Sequence, residues 1–113
     1  MKGSFRDVND VRVLDLAGKI TIGAGDVELR RLVEEALAAG KTKILVNLKD
    51  VTHIDSSGIG ELVACYTTVK RRGGEMKLEN LPPKINDILQ VTQLITVFDV
   101  YDNEPEALGS FAA

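Results

Sequence analysis

The feature that most constrains the fold of this chain is an aliphatic segment, residues 44–48, with an amphipathic pattern beyond it. Only Asn47 interrupts the aliphatic side chains of this segment. A short, nearly continuous apolar run is typical of a central strand that is covered on both faces. The apolar residues that follow recur at helical spacing, at Ile59, Leu62, Val63, Tyr66 and Val69. A buried strand followed by a helix predicts an α/β fold with parallel strands.

The rest of the chain continues this alternation. Strands are predicted at residues 5–8, 11–16, 43–48, 75–79 and 96–101. Helices are predicted to begin near Asp26, Ser57, Pro82 and Asn103. The turn-prone pair Asn9 and Asp10 predicts an antiparallel hairpin between the first two strands. The prediction is therefore a mixed sheet of four to five strands, the hairpin plus parallel strands, with about four helices.

Three local features refine this prediction. Residues 18–25 contain three glycines and predict a loop with a short extended piece. Residues 75–79 alternate between polar and apolar side chains, so one face of that strand is expected to be less buried. In the terminal helix, Ala107, Leu108 and Phe111 are expected to point inward.

Length and composition indicate one globular domain, spanning residues 1–113. The net charge of −3 offers no basic surface, so no direct binding to nucleic acid is expected. No apolar run approaches the roughly 18–20 residues of a membrane span, and no signal-peptide core is present, which predicts a cytoplasmic protein with no membrane contact. The single cysteine, Cys65, excludes an internal disulfide and a cysteine-based zinc site, and we expect it to be buried and unreactive.

No arrangement for catalysis or for a cofactor is found. His53 and Asp55 are two residues apart on a predicted strand, so they lie in line and do not surround a serine nucleophile. The glycines lack the lysine that a phosphate-binding loop requires. We expect no enzymatic activity, no metal and no cofactor, although a weakly bound nucleotide remains an alternative.

The strand-to-helix junction carries the functional signal. It reads Asp55, Ser56, Ser57, Gly58, Ile59 and Gly60. One of the first three residues is expected to cap the helix, with Ser56 a better candidate than Ser57. Glycines are poor helix formers, and Gly58 and Gly60 should leave the helix start open to the backbone of a partner. A helix start also tolerates a phosphate, because its N–H groups are free and its dipole end is positive.

At these residues the chain resembles the STAS domain family, specifically bacterial anti-sigma factor antagonists. The family pattern is an apolar strand, a motif Asp-Ser-Ser/Thr-Gly-Leu/Ile-Gly, and an amphipathic helix that ends in a Gly-Gly-like turn. The chain matches it at residues 44–48, 55–60 and 72–74, and the likeness extends over about residues 11–111.

The resemblance implies a phosphorylation-controlled binding protein. In such families an anti-sigma factor, which is also an ATP-dependent serine kinase, phosphorylates the second hydroxyl of the motif, here Ser57. The unphosphorylated form binds the anti-sigma factor and frees the sigma factor, and a metal-dependent phosphatase resets the switch. Many members carry an acidic residue in the loop after the second strand, where Thr21 stands in this chain. The predicted partner-binding residues are Thr21, Asp55, Ser56, Ser57, Gly58, Ile59, Gly60 and Glu61, with the exposed face of the second helix as the docking surface.

Other members of the family imply an alternative. STAS domains also serve as constitutive subunits of stressosome scaffolds and of lipid-transport complexes. In that case Ser57 would be only a helix-start residue, with no phosphorylation.

Overall fold

The computed structural model describes residues 1–111 and shows the predicted α/β fold, built on one five-stranded mixed sheet. The strands are β1 (Lys2–Val8), β2 (Val11–Ile20), β3 (Lys43–Ile54), β4 (Glu75–Glu79) and β5 (Val100–Tyr101). The helices are α1 (Gly25–Ala38), α2 (Ser56–Arg71), α3 (Pro83–Val91) and α4 (Glu104–Ser110), with a 3-10 turn at Leu94–Thr96. Residues 112 and 113 of the predicted domain lie outside the described residues.

The strands lie in chain order across the sheet. β1 and β2 form the predicted antiparallel hairpin, and the β2–β3, β3–β4 and β4–β5 pairs are parallel. Asn9 occupies the left-handed region at φ 56°, a conformation that asparagine tolerates better than most residues. This local turn closes the hairpin between β1 and β2.

Two strands are longer than the sequence predicts. β2 continues to Ile20 and β3 continues to Ile54, so part of the segment predicted as a loop belongs to the sheet. The extension exists because the two strand ends pair with each other, with Lys19 opposite His53 and Ile20 opposite Ile54. This pairing brings the end of β2 to the residue that precedes Asp55.

Apolar cores lie on both faces of the sheet. The larger core contains Leu14, Ile44, Val46, Leu62 and Leu78. The smaller core, under α4, contains Val11, Val13, Leu45, Ala107 and Phe111. Because both faces are covered, the prediction of β3 as a buried central strand is confirmed. Leu108 is only half-buried and packs beside the smaller core.

The prediction of a less buried face on β4 is wrong. Lys77 and Glu79 on that face are 6% and 0% exposed. The reason is α4, which covers the sheet there: the Lys77 ammonium donates to the carbonyl and hydroxyl oxygens of Ser110 at 3.0 and 2.9 Å. The same ammonium lies 4.7 Å from the ring centre of Phe111. The polar face of β4 is therefore buried in spite of its alternating sequence, because α4 packs on it.

The last strand is also shorter than predicted. Residues 94–96 form a 3-10 turn, and only Val100 and Tyr101 pair with β4. Gln93, which precedes this turn, adopts a left-handed φ of 62°. Phe98, between the turn and β5, is buried with its ring edge-to-face against Tyr66. Residues 96–98 were predicted as strand, but they do not pair with β4, and this segment is held by the packing of the Phe98 ring.

Candidate functional site

The carboxylate of Asp55 caps α2. Asp55 has extended backbone angles (φ −106°, ψ −176°), and its Oδ1 accepts a hydrogen bond from the backbone N–H of Gly58 at 2.8 Å. An aspartate in this position satisfies an N–H that has no partner within the helix. The prediction that one of residues 55–57 caps the helix is therefore confirmed, with Asp55 in that role. The preference for Ser56 over Ser57 as the cap is wrong, because Ser56 is the first residue inside the helix. The serine hydroxyls are not used for capping.

Ser56 and Ser57 lie in the first turn of α2. Ser56 is exposed and Ser57 is half-buried. The first turn also contains no acidic residue. The positive end of the helix dipole favours an anion at this turn. The N–H of Gly58 is already bonded to Asp55 Oδ1 and that of Ile59 to the Asp55 carbonyl oxygen, so the tolerance of this helix start for a phosphate stays a prediction.

The loop between β2 and α1 is bound to this helix end. The second oxygen of Asp55, Oδ2, accepts from the backbone N–H of Ile22 at 3.0 Å, and the Asp55 N–H donates to the carbonyl oxygen of Ile20 at 3.4 Å. The N–H groups of Gly58 and then Ile22 lower the pKa of Asp55 below its usual value, because both stabilise the charged form. Thr21 lies in this loop and is half-buried. The structure thus places the predicted loop next to the predicted motif.

The two motif glycines have different roles. A Cβ on Gly58 would overlap the carbonyl oxygen of Ile20 and would lie 2.8 Å from Cγ1 of Ile54. The prediction that Gly58 opens the helix start to a partner is therefore wrong, because Gly58 is buried against β2. Gly60 is exposed, and a Cβ there would have nothing within 4 Å. Of the two glycines, only Gly60 leaves backbone accessible.

Ile59 and Glu61 point toward the protein. Ile59 is half-buried and packs against the larger core. Glu61 is 8% exposed and accepts from Nε of Arg30, on α1, at 2.9 Å. Its other oxygen accepts from Sγ of Cys65 at 3.3 Å. The structure gives Glu61 an intramolecular partner, so a contact between Glu61 and another protein stays a prediction.

Cys65 is buried, as the sequence predicts. Burial raises the pKa of its thiol, and the Glu61 carboxylate raises it further. A thiol with a raised pKa is a poor nucleophile, because the thiolate is the reactive form. The exposed residues of α2 are Ser56, Gly60, Ala64, Thr67, Thr68, Lys70 and Arg71.

Two residues of this region were missed by the sequence analysis. Ile22 is 73% exposed although it is a large aliphatic residue, and Arg30 holds the buried Glu61. An aliphatic residue in a glycine-flanked loop was a usable signal for Ile22. No local sequence signal could identify Arg30, because its partner, Glu61, is 31 positions away in the chain.

Within residues 1–111, no three His, Cys, Asp or Glu side chains are grouped as metal ligands. In the same residues, no helix has both the length and the apolar composition to cross a bilayer.

Sequence comparison identifies the family. The STAS domain family model matches residues 4–107, so the chain belongs to the STAS domain family. The anti-sigma-B factor antagonist of Bacillus subtilis (strain 168) is 35% identical over 92 residues, which cover 81% of this chain and 82% of that protein.

Solved structures show the same fold. A Thermotoga maritima protein, provisionally described as an anti-sigma factor antagonist, has a TM-score of 0.90 at 27% identity, over 98% of this chain and 95% of that one. The Bacillus cell fate determinant SpoIIAA in its phosphorylated form has a TM-score of 0.75 at 22% identity, over 96% of this chain and 98% of that one. The latter likeness supports the fold alone.

Proposed function

We propose that this protein is an anti-sigma factor antagonist whose binding is controlled by phosphorylation of Ser57. In the unphosphorylated form it binds an anti-sigma factor that is also a serine kinase, and the sigma factor is released. The observation that carries the proposal is the placement of Ser57 in the first turn of α2, beside a cap supplied by Asp55. The similarity to an anti-sigma-B factor antagonist over 81% of the chain supports the same function.

The helix start is compatible with a phosphate on Ser57. A phosphoserine carries a charge of about −1.5 to −2, which the positive end of the helix dipole stabilises. The Asp55 carboxylate opposes part of this stabilisation, because it is itself charged and already occupies the N–H of Gly58. The fold should therefore remain intact after phosphorylation, with little change in melting temperature.

The same phosphate should prevent partner binding. An interface that closes over the bare hydroxyl of Ser57 would have to bury a solvated dianion next to Asp55. A loss of about 3–4 kcal/mol in binding free energy corresponds to two to three orders of magnitude in affinity. We therefore expect phosphorylation to act as an on–off control of binding and not of folding.

The partners follow from this mechanism. The protein acts by binding and not as an enzyme, and a metal-dependent phosphatase restores the unphosphorylated form. A kinase partner that uses ATP is consistent with a cytoplasmic site of action. We propose no direct contact with nucleic acid, since the net charge of −3 gives no electrostatic attraction to phosphate backbones.

The site of phosphorylation is tested by incubation with ATP and each purified anti-sigma factor kinase encoded in the source genome. Intact mass should rise by one phosphate, and phosphopeptide sequencing should place it on Ser57. Ser56→Ala is the matched control and should be phosphorylated normally, whereas Ser57→Ala should not. Phosphate on Ser56, or normal modification of Ser57→Ala, contradicts the assignment.

The direction of the switch is tested by calorimetric titration of both forms against the same kinase, together with their thermal melts. The unphosphorylated form should bind at least a hundredfold more tightly, with similar melting temperatures for the two forms. Equal affinities would instead favour a constitutive scaffold or transport-complex subunit. A collapsed melting temperature would mean that the phosphate acts by unfolding the protein.

A further inference from the structure

One carboxylate joins two segments that are far apart in the chain. Oδ1 of Asp55 binds the Gly58 N–H in α2, and Oδ2 binds the Ile22 N–H in the loop between β2 and α1. The first bond caps a helix, as aspartate commonly does. The second bond is not needed for capping, and it fixes the loop to the helix end that carries Ser57.

The loop is held at a second point as well. Oδ1 of Asp26 accepts from the backbone N–H of Gly23 at 2.9 Å. Gly23 has a φ of +93°, which glycine adopts without strain. Ile22 is therefore presented from a backbone that is hydrogen-bonded on both sides, and a preorganised contact loses little conformational entropy on binding.

The side chain at the tip of this loop is apolar and open to solvent. Ile22 is 73% exposed, and Val27 in the first turn of α1 is 51% exposed. Burying an isoleucine side chain stabilises a fold. The stability of this fold therefore does not explain why Ile22 is exposed beside the proposed phosphorylation site. An exposed apolar side chain contributes to affinity when a partner removes its surface from water in a fitting pocket.

We propose that Ile22 is an apolar anchor in the surface that binds the anti-sigma factor kinase, and that Asp55 is the positioning residue that holds Ile22 next to Ser57. This inference rests on the proposed function. It implies that the kinase has an apolar pocket beside the cleft that receives Ser57. Nothing in the family resemblance assigns this role to Ile22, since the acidic residue of many members corresponds to Thr21.

The anchor is tested by titrating the unphosphorylated Ile22→Ala variant against the kinase. We expect its Kd to rise about tenfold, with an unchanged melting temperature, because the side chain is exposed in the free protein. Val91→Ala is the matched control, since Val91 is 85% exposed on α3. The Kd of the control should stay within about twofold of wild type. An Ile22→Ala variant that binds as tightly as wild type would overturn the anchor.

The positioning role is tested with Asp55→Asn. Asparagine caps helices about as well as aspartate, and its carbonyl oxygen replaces Oδ1, but its amide nitrogen cannot accept from the Ile22 N–H. The Ile22 amide should exchange with solvent faster than in wild type, while the melting temperature changes little. Binding should weaken, and the double variant with Ile22→Ala should be less than additive. An Ile22 amide that stays as protected as in wild type would overturn the role of Asp55.

The outcomes separate this inference from the function on which it rests. If unmodified wild type binds none of the kinases tested, the proposed function and the anchor are both overturned. If wild type binds and Ile22→Ala binds equally well, the proposed function stands and only the anchor is overturned. Amide exchange at Ile22 is measured on the free protein, so it reports on Asp55 in either case.

Discussion

We expect Glu79→Gln to gain stability relative to wild type as the pH rises from 5 to 8. Glu79 is fully buried, and neither of its oxygens has a hydrogen-bond partner within residues 1–111. Burial, as the largest cause, and the neighbouring Glu104 carboxylate together raise the pKa of Glu79 to about 8. The Glu104 carboxylate contributes to this rise, because a protonated Glu79 is able to donate a hydrogen bond to it whereas a charged Glu79 is not.

The magnitude follows from the difference between the folded and unfolded pKa values. An unfolded glutamate has a pKa of about 4.3, so between about pH 4.3 and 8 the native state holds a proton that the unfolded state has released. The free energy of unfolding then falls by up to about 1.4 kcal/mol for each pH unit, or roughly 3–4 kcal/mol at pH 7. Above the folded-state pKa of Glu79, the carboxyl is ionised in both states, and the free energy of unfolding falls no further. Glutamine has nearly the same shape and does not ionise, so this contribution is absent from the variant.

The other charged groups around Glu79 do not obscure this window. Arg6 on β1 donates to Oδ2 of Asp15 at 2.7 Å and to Oε2 of Glu104 at 2.8 Å. Burial raises the pKa of Asp15, but hydrogen bonds from Arg6 and Asn47 outweigh it, and the net pKa is lowered. The hydrogen bond from Arg6 lowers the pKa of Glu104. Both carboxylates therefore lose their stabilising contribution only in acid, below the pH range of the comparison.

The assay is urea unfolding at pH 5, 6, 7 and 8. Wild type, Glu79→Gln and a control variant, Glu106→Gln, are compared at each pH. Glu106 is exposed on α4, so its variant should follow wild type throughout. The unfolding free energy of Glu79→Gln should move above that of wild type by a margin that grows with pH. If the difference in unfolding free energy between Glu79→Gln and wild type is the same at every pH, the pKa of Glu79 is not raised. If the advantage of the variant shrinks as the pH rises, the pKa of Glu79 is lowered and not raised.

Three further predictions concern α2 and its contacts. Gly58→Ala should destabilise the fold by about 1–3 kcal/mol because its Cβ overlaps β2, whereas Gly60→Ala should gain up to about 1 kcal/mol, as measured by urea unfolding. Equal effects would contradict the different packing of the two glycines. Arg30→Ala removes a partner of the buried Glu61 carboxylate and should lower the urea midpoint of unfolding; an unchanged midpoint would contradict this contact. Cys65 should resist a thiol reagent in the native protein and react fully in urea, so rapid native labelling would contradict its burial.

The sequence alone determined the elements whose signals are local. The apolar run of β3, the helical periodicity of α2 and the Asn9 turn all act over a few residues, and the structure confirms each of them. Pro83 likewise begins α3, since proline fits the first turn of a helix. The motif of the candidate site could also be recognised from the sequence, because residues 55–60 are continuous in the chain at the junction between strand and helix.

Only the tertiary structure decided what covers each side chain and what each polar group binds. The Lys77 face of β4 is buried because α4, about 30 residues later in the chain, packs on it. The Ile22 N–H meets Asp55 across 33 positions. These contacts depend on strand register and helix packing, which bring together residues that are distant in the chain. The periodicity and capping signals of the sequence extend over only a turn or two, so they do not predict such contacts. The sequence therefore located the candidate site, and the fold determined which neighbours hold it in place.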